Sequence, residues 1–306
     1  MTIELAIIGG GPAGYSAAIY AKRAGIKPII FEKNGGGGMA LFSPNIENYA
    51  GFESISGLDL MEKMRLHANK YSEIKTYESV TKIIKNKSDF KIETNKNKYI
   101  AKAVIICTGT EYKKLNVKGE TELQGKGVSY CATCDGFFFK NKKVGVVGGG
   151  NSALIEAIYL KQIGCKEVII IHRRDQLRAE KAYEDEAKSK KVKFLLNKEV
   201  TKINGLDKIE SITLFDNIKS EKTDLSIDGL FISIGESPQN NLAKELDIKL
   251  DQKGYIIVDR SQRTNIKGIY AAGDITGGLR QIITACSEGA IAALSTTEVL
   301  GKKYPY

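Results

Sequence analysis

Leu5-Ala6-Ile7-Ile8-Gly9-Gly10-Gly11-Pro12-Ala13-Gly14 decides the fold of this 306-residue chain. Four apolar residues read as a strand, and the glycines after them satisfy G-x-G-x-x-G ahead of a helical stretch, Ala13–Ala24. In that context the glycines allow a tight turn, close approach to a pyrophosphate, and tight packing of helix on strand, while the helix N-terminus faces the phosphates. A glycine fingerprint alone is a weak signal, because a structural turn beside a surface glutamate has the same letters. Here a second strand, Pro28–Glu32, closes on an acid 18 residues beyond Gly14, placed to accept hydrogen bonds from a ribose 2′-hydroxyl.

The same unit recurs 139 residues later. Val144–Val147 reads as a strand, Gly148-Gly149-Gly150-Asn151-Ser152-Ala153 as a fingerprint with alanine in the third glycine's place, Ala153–Gln162 as a helix, and Val168–Ile171 as the next strand. The residue beyond that strand differs in kind. Where the first unit has Glu32, the second has His172-Arg173-Arg174, with Arg178 shortly after. Guanidinium groups there bind a 2′-phosphate bidentately, which points to NADP; an ordinary basic surface turn is the alternative. Two fingerprints of opposite ribose chemistry imply one tightly held flavin nucleotide and one exchangeable nicotinamide. Short β-branched runs alternating with helical stretches predict parallel sheets with crossover helices, hence an α/β fold. Further strands are expected near Phe90–Thr94, Ala103–Ile106, Lys193–Leu195, Ile209–Leu214 and Gly229–Ile234, and a helix around Leu58–Tyr71.

Composition narrows the function classes. Apolar content of 42% with 27% charged residues is that of a globular chain, and no apolar run approaches the roughly 18 residues of a membrane span. Met1–Ile8 lacks a basic leader and reads as a strand, so a cytoplasmic location is expected. The net charge of +10 comes from scattered lysines such as Lys85, Lys87, Lys91, Lys96 and Lys98. Without interleaved aromatics they read as a solvated surface and not as a nucleic-acid groove, although basic charge can steer an acidic protein partner. Of five cysteines, Cys107, Cys165 and Cys286 stand apart and read as small apolar fillers.

The other two form Cys131-Ala132-Thr133-Cys134-Asp135-Gly136. A C-x-x-C pair at a helix start favours a thiolate and permits a disulfide. Zinc requires two more ligands at metal spacing, and with two histidines and no second C-x-x-C the chain offers no such set, so no metal is expected. Asp135 is read either as a carboxyl that shuttles the proton of thiol–disulfide exchange or simply as a helix N-terminal charge.

With these motifs in view, the chain resembles the low-molecular-weight, bacterial-type thioredoxin reductases over essentially its whole length. Gly9–Tyr15, Ile46-Glu47-Asn48-Tyr49, Cys131–Gly136, His172–Arg178, and Ala272-Gly273-Asp274 with Arg280-Gln281 carry the match. The resemblance implies two Rossmann-like, three-layer ββα domains, the NADPH domain (113–240, with the dithiol) inserted into a discontinuous FAD domain (1–112 and 241–306). It implies a homodimer that passes electrons from NADPH through FAD and the dithiol to thioredoxin. Cys134 would face the flavin, Cys131 would attack the substrate disulfide, and Asp135 would act as the acid. FAD contacts are implied at Gly9, Gly11, Pro12, Ala13, Gly14, Glu32, Lys33, Gly37, Gly38, Met39, Asn48, Val80, Gly109, Gly273, Asp274, Arg280, Gln281 and Ile282. NADP contacts are implied at Gly148, Gly150, Asn151, Ser152, His172, Arg173, Arg174 and Arg178. The family mechanism also implies rotation of the domains about segments near Glu111–Leu115 and Gln239–Leu242.

The chain departs from the family pattern at Gly37-Gly38-Met39, where Gly-Gly-Gln is usual, and at Ala50, where proline is usual. A lost amide near the flavin bears on donor preference and potential, not on reaction type. A reductase serving another thioredoxin-like or peroxiredoxin-linked partner, or using another electron donor, would carry the same motifs.

Overall fold

The computed structural model describes residues 1–43 and 45–304. β1 (Thr2–Ile8) sends Leu5 and Ile7 into one hydrophobic cluster and Ala6 and Ile8 into another, and all four are buried. Successive strand residues point to opposite faces, so a stretch apolar at four successive positions is covered on both sides, as in a parallel sheet flanked by other layers. α1 (Pro12–Arg23), β2 (Pro28–Phe31), α2 (Gly57–Asn69) and β3 (Glu73–Lys75) follow. Then β4 (Val80–Lys85), β5 (Phe90–Thr94) and β6 (Lys98–Ile106) form an antiparallel meander. The strand order is β3-β2-β1-β6-β5-β4. β6 is long enough to serve twice: Phe90 of β5 pairs with Ala101, while a later strand pairs with Val104–Ile106.

The chain divides into two compact units, residues 1–41, 46–111 and 237–306 in the first, and 42–45 and 112–236 in the second. The crossings fall in β7 (Thr110–Tyr112) and, on the return, in a short strand at Glu236–Pro238 that pairs with it.

The second unit repeats the layering. β8 (Val128–Ser129) and α3 (Ala132–Asp135) precede β9 (Lys143–Val147), α4 (Asn151–Gln162) and β10 (Glu167–His172). α5 (Lys181–Ser189), β11 (Lys193–Leu196), β12 (Lys198–Asn204), β13 (Ser211–Asp216), β14 (Glu221–Ser226) and β15 (Gly229–Ile232) complete it, and β16 (Glu236–Pro238) is the return crossing. A parallel sheet, β11-β10-β9-β15-β8, buries Val146 and Ile170 against α4, and Val147, Ile169 and Ile171 against the antiparallel sheet β12-β13-β14. The chain then returns to the first unit as α6 (Asn241–Glu245), β17 (Ile269–Ala271) and α7 (Ile282–Ser295). α7 packs on α1 at small residues: a Cβ on Gly289 would lie 2.1 Å from the Ala13 carbonyl oxygen.

The α/β fold with parallel sheets is as expected. The sequence pattern does not announce β12 or β14. In β12 the buried Val200 and Ile203 are three apart, which breaks the period of two; a register shift between Val200 and Lys202 returns both to the same face. β14, Glu-Lys-Thr-Asp-Leu-Ser, is an exposed edge strand held only through β13. Among the described residues, no helix is long and apolar enough to cross a membrane.

Candidate functional site

The two glycine turns are built alike. Gly9 has φ +111°, donates its N–H to the Phe31 carbonyl over 2.8 Å, and leaves room for no Cβ, which would lie 2.2 Å from the Cys107 oxygen. Gly148 donates to Ile171 over 3.1 Å, and a Cβ there would lie 2.4 Å from the Ser233 oxygen. Gly11 and Gly150 are the N-caps of α1 and α4; neither helix has a side-chain cap, and a Cβ at either glycine would meet nothing within 4 Å. Uncapped N–H groups facing open space fit a diphosphate.

In the first unit Glu32 is buried and accepts the Gly10 and Asn34 N–H groups, each over 2.7 Å. Gly37 donates to the Gly10 carbonyl over 2.6 Å, which brings the 3₁₀ turn Gly38–Phe42, with Gly38 and a half-buried Met39, to the fingerprint. Glu78 donates its N–H to the Glu32 carbonyl over 2.9 Å, so β4 starts, at Val80, two residues from that contact. Gly273 reaches the same place from the C-terminal part of the chain, close enough that a Cβ on it would lie 2.9 Å from that of Ala13. It begins the 3₁₀ turn Asp274–Thr276, and its N–H donates to the Glu288 carboxylate over 2.7 Å. Burial pushes the Glu288 carboxyl above the usual carboxylate range, against the lowering effect of donors from Gly273 and Thr276.

The remaining expected flavin residues divide. Asn48 donates to the Gln281 side chain over 3.0 Å, and Gln281 closes a capping box at the start of α7, followed by Ile282. Gly109 lies just past β6, where its carbonyl accepts the Gln239 N–H over 3.0 Å. Arg280 donates to the Tyr255 hydroxyl over 3.0 Å. Lys33 is exposed and pairs with Glu111 over 2.7 Å.

In the second unit His172 stands where Glu32 stands in the first, one residue past the strand residue that holds the fingerprint turn. Its ring packs on Gly149, where a Cβ would lie 2.4 Å from it. The ring is buried, its Nε2 has no hydrogen-bond partner among the described residues, and burial lowers its pKa, with the nearby Arg178, Arg174 and Arg173 charges acting in the same direction. Arg173, Arg174 and Arg178 are exposed on the following loop. That loop is held at both ends: Arg178 donates its N–H to the Gly149 carbonyl over 2.6 Å, and Asn217 donates to the Arg173 carbonyl over 2.9 Å. Asn151 exchanges hydrogen bonds of 2.7 and 2.8 Å with Glu180, while Ser152 is exposed beside it.

The same unit carries the cysteine pair. Cys131 and Cys134 form a disulfide with Cα atoms 5.3 Å apart, Cys131 capping the four-residue helix α3. Asp135 accepts from the Ser129 hydroxyl over 2.6 Å and from Ser43 over 3.3 Å. Burial raises its carboxyl and these donors oppose the rise. A carboxyl held protonated more readily than usual, beside a dithiol, suits proton transfer. Sequence reading singled out neither Ser129 nor Glu288: a serine two residues before a cysteine and a glutamate in a helix carry no motif.

Residues 3–289 match the family described as pyridine nucleotide-disulphide oxidoreductase. A thioredoxin reductase of Bacillus subtilis is 44% identical over 297 residues, 95% of this chain and 93% of the relative. One from Helicobacter pylori is 43% identical, covering 97% of this chain and 99% of the relative. The crystal structure of thioredoxin reductase from Streptococcus pyogenes has a TM-score of 0.93 at 41% identity, covering 98% of both chains.

Proposed function

This chain belongs to the pyridine nucleotide-disulphide oxidoreductase family, among the thioredoxin reductases, and we propose that it reduces the disulfide of thioredoxin with electrons from NADPH. The family implies FAD and NADPH as cofactors, and the uncapped helix starts at Gly11 and Gly150 fit their diphosphates. The first unit is taken as the FAD domain, with Glu32 on the adenosine ribose, and the second as the NADPH domain, with Arg173, Arg174 and Arg178 on the 2′-phosphate. FAD, when bound, supplies a two-electron relay between the nicotinamide hydride and the protein disulfide.

The observation that carries this reading is the Cys131–Cys134 disulfide with Asp135 at its side, in the unit that carries the arginine-bearing fingerprint. Two electrons entering at Cys134 break the Sγ–Sγ bond. The Cys131 thiolate then attacks one sulfur of the partner's disulfide, and the partner's other sulfur leaves as a thiolate that takes a proton from Asp135. Cys134, as thiolate, attacks Cys131 Sγ and restores the disulfide, expelling the partner's second sulfur as a thiolate that takes its proton from water. In sum NADPH, one proton and a disulfide give NADP⁺ and two thiols.

A homodimer is supported by exposed apolar side chains on the helical layer of the first unit, Leu58 and Leu66 of α2 and Ile283 and Ile291 of α7. A reducing, cytoplasmic setting is supported by the free cysteines Cys107, Cys165 and Cys286. The reading is tested by stopped-flow reduction of the flavin-loaded protein with NADPH, NADH and reduced ferredoxin in parallel, followed by addition of oxidised thioredoxin. Rapid reduction by NADPH and reoxidation by thioredoxin are expected; reduction by ferredoxin alone, or a reduced protein inert to thioredoxin, overturns it.

A further inference from the structure

We propose that Ser129 is a positioning residue of the dithiol site, tying the Asp135 carboxyl to the Cys131 backbone so that the proton donor keeps its place through the redox cycle. The proposal rests on the reading of Asp135 as that donor. Ser129 is the last residue of β8, paired with Phe231 in the parallel sheet and 5% exposed. Its hydroxyl has one hydrogen to give. That hydrogen goes to Asp135 Oδ2 at 2.6 Å, since the competing acceptor, the Cys131 carbonyl, lies at 3.4 Å.

The oxygen in turn accepts the Cys131 N–H over 3.1 Å, and the Asp135 N–H donates to the Cys131 carbonyl over 3.1 Å. Ser129, Cys131 and Asp135 thus close a circuit of three hydrogen bonds. A four-residue helix such as α3 cannot hold its own shape, and its N-cap Cys131 offers no side-chain cap. The circuit supplies the anchor from a sheet strand. No sulfur atom takes part in it, so it is unchanged when the Sγ–Sγ bond opens. In the exchange step the Asp135 proton departs with the leaving thiolate and the carboxylate is reprotonated from water; no electron passes through Asp135 or Ser129.

The circuit also acts on the charge state. Among the described residues no ion pair reaches Asp135; the Ser129 hydroxyl is the near donor to its oxygens, while the Ser43 hydroxyl, 3.3 Å away, has a closer acceptor in the Asn45 carbonyl at 3.0 Å. α4 faces α3 at Gly136 with Tyr159, Leu160 and Ile163, and the cysteines share its turn. A hydroxyl donor favours the carboxylate and so opposes the upward push of burial.

The test titrates the ¹³C carboxyl resonance of Asp135, assigned with Asp135→Asn, in the flavin-loaded protein and in its Ser129→Ala and Ser129→Thr variants, alongside the pH profile of thioredoxin reduction. Ser129→Ala is expected to raise the Asp135 midpoint by about one pH unit, as expected for a lost charge-assisted donor. It should carry with it the limb of the pH profile that Asp135→Asn abolishes, and Ser129→Thr should restore both. An unmoved midpoint in Ser129→Ala, or a loss of rate equal at every pH, overturns the role of Ser129. A limb that survives in Asp135→Asn overturns the reading of Asp135, and the proposal with it, even if the midpoint moves.

Discussion

Glu32 accepts the Gly10 N–H over 2.7 Å, so the acid just past β2 is locked to the glycine turn that opens α1. In the proposed function, the bond joins the residue assigned to the ribose to the loop assigned to the diphosphate. Glu32→Ala leaves the Gly10 and Asn34 N–H groups without their acceptor. The buried Gly10 N–H, left unpaired, costs about 1–3 kcal/mol, so the flavin-free protein should unfold at lower temperature and bind FAD at least tenfold more weakly. Calorimetry and FAD titration check this; unchanged FAD affinity would remove Glu32 from the site.

Cys134→Ser should leave reduction of FAD by NADPH intact while abolishing turnover with thioredoxin, because the disulfide between Cys131 and Cys134 can no longer form. Stopped-flow absorbance separates the two half-reactions. Near-normal turnover with thioredoxin in this variant is incompatible with the assignment.

Replacing Arg173 and Arg174 with alanine should weaken NADPH at about 1.5–3 kcal/mol per charged contact and leave NADH nearly unchanged, since NADH has no 2′-phosphate. Both side chains are exposed on the loop beyond β10, so the fold should tolerate the change. Equal weakening of the two nucleotides, measured by titration, would mean that the arginines act on the loop and not on the phosphate.

Glu288 should leave a signature in stability against pH. Its carboxyl is raised by burial in the folded state, so the folded protein holds a proton that the unfolded chain has given up. The associated stability is fully present below the ordinary value of 4.5 and is lost as pH rises through the raised one. Thermal unfolding of the flavin-free protein between about pH 4 and pH 8 should therefore show a steeper fall for the natural chain than for Glu288→Gln. Parallel curves would show that Glu288 titrates alike in both states.

Much of this protein was legible in the sequence because the signals are local. A strand, a glycine turn and a helix need only their chain neighbours, and so does the C-x-x-C pair; β1, α1, β9 and α4 stand within three residues of where the pattern puts them. The switch from Glu32 to His172 was legible for the same reason, each being one residue past the strand residue that accepts the fingerprint turn's N–H. What the sequence could not determine are relations between distant segments: the Gly273 N–H on Glu288, Asn48 on Gln281 across 233 residues, and Lys33 on Glu111. Even Ser129 and Asp135, six residues apart, meet only because β8 ends in the sheet where α3 begins. A hydroxyl or a carboxylate carries no record in sequence of which partner it will meet. That is decided when burial removes water and each polar group must take a partner from whatever the fold has brought within reach.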